Sequence, residues 1–444
     1  MNDLNERQAQ LQQMVEDMLR EAEMQGASGA EAGVNFDIGL SASIRLGVVE
    51  TIEHTRDQGM GVTVYFGQSK GSASTSDFKP EAIRDTVRAA CDIARFTSAD
   101  PCNGLADAEL MAREQPDLDL YHPWNIDVDQ AIAIGIECEA AARELDPRIT
   151  NSEGATLNSH RGIQVYGNNH GFIGGYPSSS HSISCAVVGE QGDSMQRDYW
   201  YTSARSPEDL ESAQTVGRCA GERTLARLGA RQIKTCEAAV IFQAEMAVSL
   251  LRSLTGAIRG SALYRRSSFL LDQLGQQIFP SFVHIHENPL LPRGLASAPF
   301  DAEGVATAPK DLVRDGVLCS YVLGSYSARK LKMQSTGNAG GVRNLTIDPG
   351  ELDLAGLLKE MGSGLLVTEL MGSGLNMVTG DYSRGAAGFW VEHGEIQYPV
   401  EEITIAGNMR DMFAGVQAVA TDVEQRGSIR TGSWLLRPMM IAGS

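Results

Sequence analysis

Apolar residues fall into two rhythms along this chain, and the places where one gives way to the other mark its elements. Leu11, Met14, Val15, Met18, Leu19 and Ala22 keep the i, i+3, i+4, i+7 spacing that draws one stripe down a helix, which predicts an amphipathic helix over 8–24. Short period-two segments punctuated by Gly follow at 43–51, 61–66 and 71–76 and are expected as strands of an antiparallel sheet. Pro80 suits a first helical turn, where its missing N–H is not needed. Ile83, Val87, Ala90 and Ala94 carry that helix to about Phe96. Residues 97–124, with Pro101, Pro116 and Pro123, read as a connection.

A similar grammar then repeats. A helix over 127–145 starts at Asp127 and stops before Asp146-Pro147, and strands are expected at 149–158, 162–168, 171–177 and 180–188. Ser206-Pro207-Glu208-Asp209 opens a further helix, with Ser206 as cap and acids in the first turn. Hairpin, hairpin, helix thus occurs twice within 1–230, either as an internal duplication or as the ordinary recurrence of α+β elements. From about 235 the texture changes. Val240-Ile241-Phe242 is a short buried strand leading into a helix carried by Ala247, Leu251, Leu254 and Ile258. Asp315-Gly316 and His393-Gly394 carry the two-residue hairpin signal, and a late helix is expected over 408–424. The expected fold class is α+β. An N-terminal α/β part holds two similar hairpin-and-helix units, and the C-terminal domain is a curved, mostly antiparallel β-sheet with a few helices. The expected domains are 1–125, 126–233 and 234–444.

Composition narrows the class. A chain of 444 residues, 42% hydrophobic and 21% charged, has material for two or three cores. Its net charge of -19, from 56 acidic and 37 basic side chains, repels nucleic acid and anionic lipid. No basic run offsets that field beyond Arg265-Arg266, so no nucleic-acid partner is expected. The seven cysteines include no C-x-x-C pair, and the start, Met1-Asn2-Asp3-Leu4-Asn5-Glu6, is polar and acidic. Both features point to a cytoplasmic, reducing compartment. No apolar run approaches the ~20 residues of a membrane span, and no membrane partner is expected.

Local motifs for chemistry are sparse. Gly372-Ser373-Gly374 runs into a strand-like segment and not into a helix start. Neither a G-x-x-x-x-G-K-[ST] loop nor a G-x-G-x-x-G between strand and helix occurs, so the glycines read as turns, bends or bulges. A zinc peptidase built on a helix needs two His with a Glu beside the metal-bound water. The forward pair His286-Glu287 is soon interrupted by Pro289, and no second His follows. His284, His286 and Glu287 alternate as on a strand. That leaves a solvent-facing edge, or part of a metal site completed by a carboxylate from elsewhere.

From Gly61 onward the chain has several distinctive stretches: 71–75 (GSAST), 294–301 (GLASAPFD), 325–330 (SYSARK) and above all 380–392 (GDYSRGAAGFWVE), continuing through 394–400 and 403–408. On these stretches the chain resembles the TldD/PmbA family of bacterial metallopeptidase-related proteins. The family pairs two related subunits, one of which holds its metal with H-E-x-x-x-H and a late Cys. The resemblance implies that Ala244, Glu245, Ser249 and Thr431 stand at those four positions here, with only Glu245 keeping the family residue. Ala has no donor atom and a neutral Ser hydroxyl is a poor zinc ligand, so no metal is expected in this chain, and zinc or iron is expected in a TldD-like partner. Glu245 then reads as a polar helix-surface residue. The implied role is the metal-free (TldE-type) subunit, a homodimer when alone and a heterodimer with the TldD-like chain, in a complex that hydrolyses unfolded or small peptides. The family is linked to peptide antibiotic maturation, to antitoxin degradation and to a label as modulator of DNA gyrase, which the negative charge makes indirect. Gly372, Gly374, Arg384 and Gly385 are the expected peptide or subunit contacts, because strand addition needs exposed backbone.

Overall fold

A computed structural model describes residues 2–443; Met1 and Ser444, the ends of the expected first and third domains, lie outside the described residues. The same order of elements is laid down twice in the N-terminal half. First come α1 (Asn2–Met24), β1 (Gly29–Arg45), β2 (Val48–Phe66), β3 (Ser69–Thr75) and α2 (Pro80–Phe96). Then follow α3 (Val128–Arg143), β4 (Ile149–Asn168), β5 (Ile173–Gln191), β6 (Ser194–Ala204) and α4 (Ala213–Ala226). Strand order β3-β2-β1-β4-β5-β6 makes one antiparallel sheet, joined at its middle by β1 and β4 from Glu31↔Asn168 to Ile44↔Ala155. The boundary drawn at 125/126 falls between the two α-β-β-β-α units, yet the sheet runs unbroken across it. Residues of one parity on a strand share a face. On β1, Ala30, Ala32, Val34 and Phe36 lie beneath α1 and α2, while Leu40 and Ala42 lie beneath α3 and α4. Asp127 closes a capping box with Gln130 at the start of α3. The two helices of the second unit touch so closely that a Cβ on Gly217 would sit 1.9 Å from the Cys138 carbonyl oxygen.

Several expected boundaries move, each for a visible reason. The strand expected at 43–51 is two strands, because Leu46 and Gly47 both take positive φ (53° and 77°) in the tight turn between β1 and β2. The paired segments at 149–158 with 162–168, and at 171–177 with 180–188, fuse into the long strands β4 and β5. The Ser206 cap starts only a single 3-10 turn, Pro207–Asp209; the helix proper begins after Ser212, whose side chain accepts from the Thr215 N–H.

The C-terminal part contains β7 (Cys236–Phe242), α5 (Ala244–Ala257), α6 (Gly260–Tyr264), β8 (Ile285–Glu287), β9 (Lys310–Arg314), β10 (Val317–Leu318), α7 (Ser325–Leu331), β11 (Leu345–Ile347) and α8 (Leu354–Met361). After these come β12 (Gly364–Met371), β13 (Asp381–Glu392), β14 (Glu395–Asn408), α9 (Met409–Ala414), β15 (Val416–Val419), β16 (Ile429–Arg430) and β17 (Trp434–Ala442). The large sheet has order β14-β13-β12-β7-β17-β15, and β14 also pairs with β17 over Thr404–Ala406, so it curls back on itself. A smaller sheet of order β10-β9-β8-β11-β16 lies beside it, and Phe242, Phe279, Phe413 and Trp434 fill the core between. The helix expected over 408–424 lasts six residues. Asn408 caps it, Gly415 ends it, and the β-branched Val416 and Val419 pair with β17 instead.

The connection 97–124 ties the two halves together. Met111, Phe172, Phe300 and Val305 share an apolar cluster, and Arg329 of α7 donates to the carbonyls of Cys102 (3.3 Å) and Gly104 (3.1 Å). The 294–301 and 325–330 stretches thus lie where the C-terminal part grips the N-terminal sheet and its connection.

Candidate functional site

The site lies where α4 and β6 of the N-terminal sheet meet the start of α5. The α5 helix follows β7 after one residue. Its first N–H, on Ala244, donates to Ser433 Oγ (3.0 Å), and that hydroxyl donates to Asp422 (2.7 Å). Glu245 therefore sits in the first turn, where the helix dipole favours a negative charge. It is no loose surface residue. Arg223 of α4 forks onto both its oxygens (3.1 and 3.2 Å), and Arg426 Nη2 donates to Glu245 Oε1 (2.7 Å). Bidentate guanidinium–carboxylate pairs of this kind are directional and strong. Glu245, Arg223, Arg426 and Glu424 have side chains only 14%, 18%, 12% and 7% exposed. Sequence reasoning placed Glu245 on a polar surface; the two arginines, 22 residues before it and 181 after, bury it.

Arg426 is the centre of the network. Its Nε donates to Glu424 (2.9 Å), its Nη2 also meets Glu424, and its guanidinium lies 3.6 Å from the centroid of the Trp200 ring. Burial works against its charge, but hydrogen bonds and charges from Glu424 and Glu245 outweigh that and hold it above its ordinary value. Glu424 shows the reciprocal effect: burial would raise it, and the bonds from Arg426 hold it below the ordinary carboxylate range. Arg223 and Arg227 continue the alternation of charge through Asp198 (3.3 and 3.6 Å), and Arg227 ends on Glu369 of β12. Three cavities, of about 530, 740 and 620 Å³, each have Glu245 in their walls.

Of the four positions singled out in the sequence, the structure gathers the surroundings but not a set of ligands. Ser249 Oγ is turned back onto the Met246 carbonyl (2.6 Å). Thr431 is fully buried, accepts from Trp434 Nε1 (2.6 Å) and donates to the Gly432 carbonyl (2.9 Å). The Glu424 N–H donates to the Thr431 carbonyl (2.9 Å), which brings that strand to the Arg426 network. With Ala244 offering no donor atom and Glu245 held by two guanidiniums, these residues do not fit a metal ion. Among the described residues no group of three or more His, Cys, Asp or Glu is placed to hold one.

His284, just before β8, and His286, within it, do lie side by side, with ring centroids 5.2 Å apart. His284 Nδ1 meets Asp348 and Nε2 meets Asp311, both at 2.8 Å, and His286 Nε2 meets Asp348 at 3.1 Å. Glu287 points the other way, is 1% exposed, and pairs with Lys310 (3.1 Å) and Asn338 (2.8 Å). The trio considered as a metal site is therefore split between two faces. Gly372 lies in the β12–β13 loop, and Gly374 packs so tightly on Ser383 that a Cβ would meet its carbonyl oxygen at 1.5 Å. Gly385 pairs with Met371 on one side and Thr404 on the other, and Arg384 donates to the Leu370 carbonyl (3.3 Å). At Gly385 the glycine-rich strand thus has no free edge for an added peptide.

Three family profiles described as PmbA/TldA metallopeptidase match the chain in order, domain 1 over 30–94, the central domain over 121–228 and the C-terminal domain over 235–443. The chain belongs to the PmbA/TldA metallopeptidase family. It is 52% identical to Metalloprotease PmbA of Escherichia coli O157:H7, over 94% of this chain and 93% of that one. It is 49% identical to a Metalloprotease PmbA homolog of Haemophilus influenzae, over 99% and 98%. A candidate modulator of DNA gyrase from Bacteroides thetaiotaomicron superposes with a TM-score of 0.92 at 25% identity, covering 97% of this chain and 98% of that one. TldE from Thermococcus kodakarensis shares the fold, with a TM-score of 0.84 at 20% identity over 97% and 100%. Among the described residues no helix is long and apolar enough to cross a membrane.

Proposed function

We propose that this PmbA-family chain is the metal-free subunit of a two-subunit peptidase, working with a TldD-like partner whose zinc or iron carries the hydrolysis of unfolded or small peptides. One observation carries the reading: Glu245, the only residue matching the family's metal motif, is neutralised by Arg223 and Arg426, while Ala244, Ser249 and Thr431 offer nothing to a cation. A carboxylate held by two guanidiniums is a poor general base, and without a metal there is no polarised water for it to deprotonate. The proposed assembly is a homodimer alone and a heterodimer with the partner. The test is a peptidase assay of this chain, of the partner and of the mixture, with elemental analysis and light scattering on each. The expected result is activity in the mixture only, with metal in the partner only. Stoichiometric metal and peptide hydrolysis in the isolated chain defeat the reading.

A further inference from the structure

Another cavity, of about 700 Å³, opens on the helix-bearing face of the N-terminal sheet, in the gap between the α1/α2 pair and the α3/α4 pair. Its floor is apolar: Phe36 and Ile163 are buried, and Ile38 lies beside them. Its rim is cationic. Arg56 and Arg161 stand on either side of Ile38 in one row across β2, β1 and β4, because Ile38 is registered with both. Arg7 reaches in from α1. Arg7 and Arg56 lie over the same Phe36 ring, 4.5 and 5.3 Å from its centroid. Asp37 and Asp57, the nearest acids along the same strands, have the opposite parity and leave from the other face. Among the described residues, none of the three guanidiniums has a carboxylate partner, in a chain whose net charge is -19.

Three like charges drawn around one hollow repel each other unless an anion joins them, and the ring beneath orients two of them without neutralising either. A guanidinium fork matches the two oxygens of a carboxylate or phosphate. We infer that this cavity is a binding site for a small organic anion, one carboxylate or phosphate head among Arg7, Arg56 and Arg161 with a flat apolar body against Phe36, Ile38 and Tyr121. It is separate from the Glu245 network and does not depend on the role proposed there.

The test uses the full chain at fixed ionic strength, titrated calorimetrically with phenyl phosphate, benzoate, inorganic phosphate and benzyl alcohol. Saturable binding of phenyl phosphate or benzoate is expected, and whichever binds tighter identifies the head group. Inorganic phosphate and benzyl alcohol, each lacking half of the ligand, should bind at least about tenfold more weakly. The double variant Arg56→Gln/Arg161→Gln, at two exposed positions, should weaken the aromatic anions by about tenfold or more at an unchanged melting temperature. No saturable binding by either aromatic anion overturns the inference, as does binding that the double variant leaves unchanged. Inorganic phosphate binding as tightly as phenyl phosphate overturns the apolar half of it.

Discussion

Replacing Glu245 by Gln keeps the side chain's shape and removes the charge that two arginines share. Stripping one member from a buried ion pair costs about 3–5 kcal/mol when the remaining charge is left with nothing. Here Arg426 keeps Glu424 and Arg223 keeps Asp198, and Arg223, Arg426 and Glu245 retain 12–18% side-chain exposure. The expected loss is therefore smaller, about 1–3 kcal/mol. Arg426→Gln alone should cost a similar amount, since it leaves both Glu245 and Glu424 short of a partner, and the pair of changes together should cost less than the sum by about 1–2 kcal/mol. In a chain this long, 1 kcal/mol moves a melting temperature by only about 1 °C. Urea unfolding midpoints at constant m are therefore the better assay, with hydrogen exchange at 244–247 to localise the effect. Additivity of the two changes to within about 0.5 kcal/mol would refute the network. The functional arm is independent of the energetic one. Glu245→Gln should leave peptide hydrolysis by the mixed complex intact, and its loss from a complex that still assembles would make Glu245 a catalytic group.

Further outcomes are open to measurement. Ala244→His/Ser249→His/Thr431→Cys should take up no stoichiometric metal by elemental analysis while Arg426 remains, and should gain metal affinity when Arg426→Met is added; one zinc per chain in the triple variant would show that the guanidinium does not compete for that space. Asp301 is 1% exposed, and burial raises its carboxyl to about 6 against the bonds it accepts from Glu303, Val305 and Ala339 N–H groups. Its stabilising contribution is complete below about 3.9 and lost as pH rises through about 6. Asp301→Asn should abolish that slope in urea midpoints and cost about 1–3 kcal/mol, because its NH2 only donates and the single Oδ1 left cannot accept from all three N–H groups. His284 is held above its ordinary value: burial acts downward, but its bonds to Asp311 and Asp348 outweigh it. Its contribution is complete below about pH 6.5 and fades as pH rises through the raised folded value, and His284→Gln should flatten the stability profile in that window.

What was legible in the sequence was what local pattern controls. The spacing of Ile83, Val87, Ala90 and Ala94 behind Pro80 located α2 at its true bounds, and the repeated hairpin-and-helix grammar appears as two α-β-β-β-α units in one sheet. Errors fell where two periods share the same residues. Met412, Phe413, Val416 and Val419 satisfy a helical spacing, yet Gly415 breaks it and the valines pair as strand; β-branching after a glycine was the signal available. The surroundings of Glu245 had no local signature at all. Arg223, Trp200, Glu424 and Arg426 come from a helix, a strand and a distant loop, and only the docking of the C-terminal part onto the N-terminal sheet brings them within hydrogen-bond reach. Burial of a carboxylate in a first helical turn can be anticipated only once its countercharge is known.

The choice of countercharge has consequences for chemistry. Two carboxylates, Glu245 and Glu424, approach one point from different elements, and such an arrangement is stable only with a cation between them. A metal ion there would keep a coordination position open for water and lower that water's pKa. A guanidinium supplies the same sign of charge with none of that capacity. It is permanently protonated, has no empty orbital for an oxygen ligand, and spends its donors on Glu245, Glu424 and the Tyr201 carbonyl (3.2 Å). It is also tethered, so the link it makes between β6, α5 and the 424–426 loop needs no ion from solution and does not respond to a chelator. The same pair of carboxylates can therefore hold the two halves of the molecule in register without being able to activate water, which is what the metal-free role proposed above asks of them.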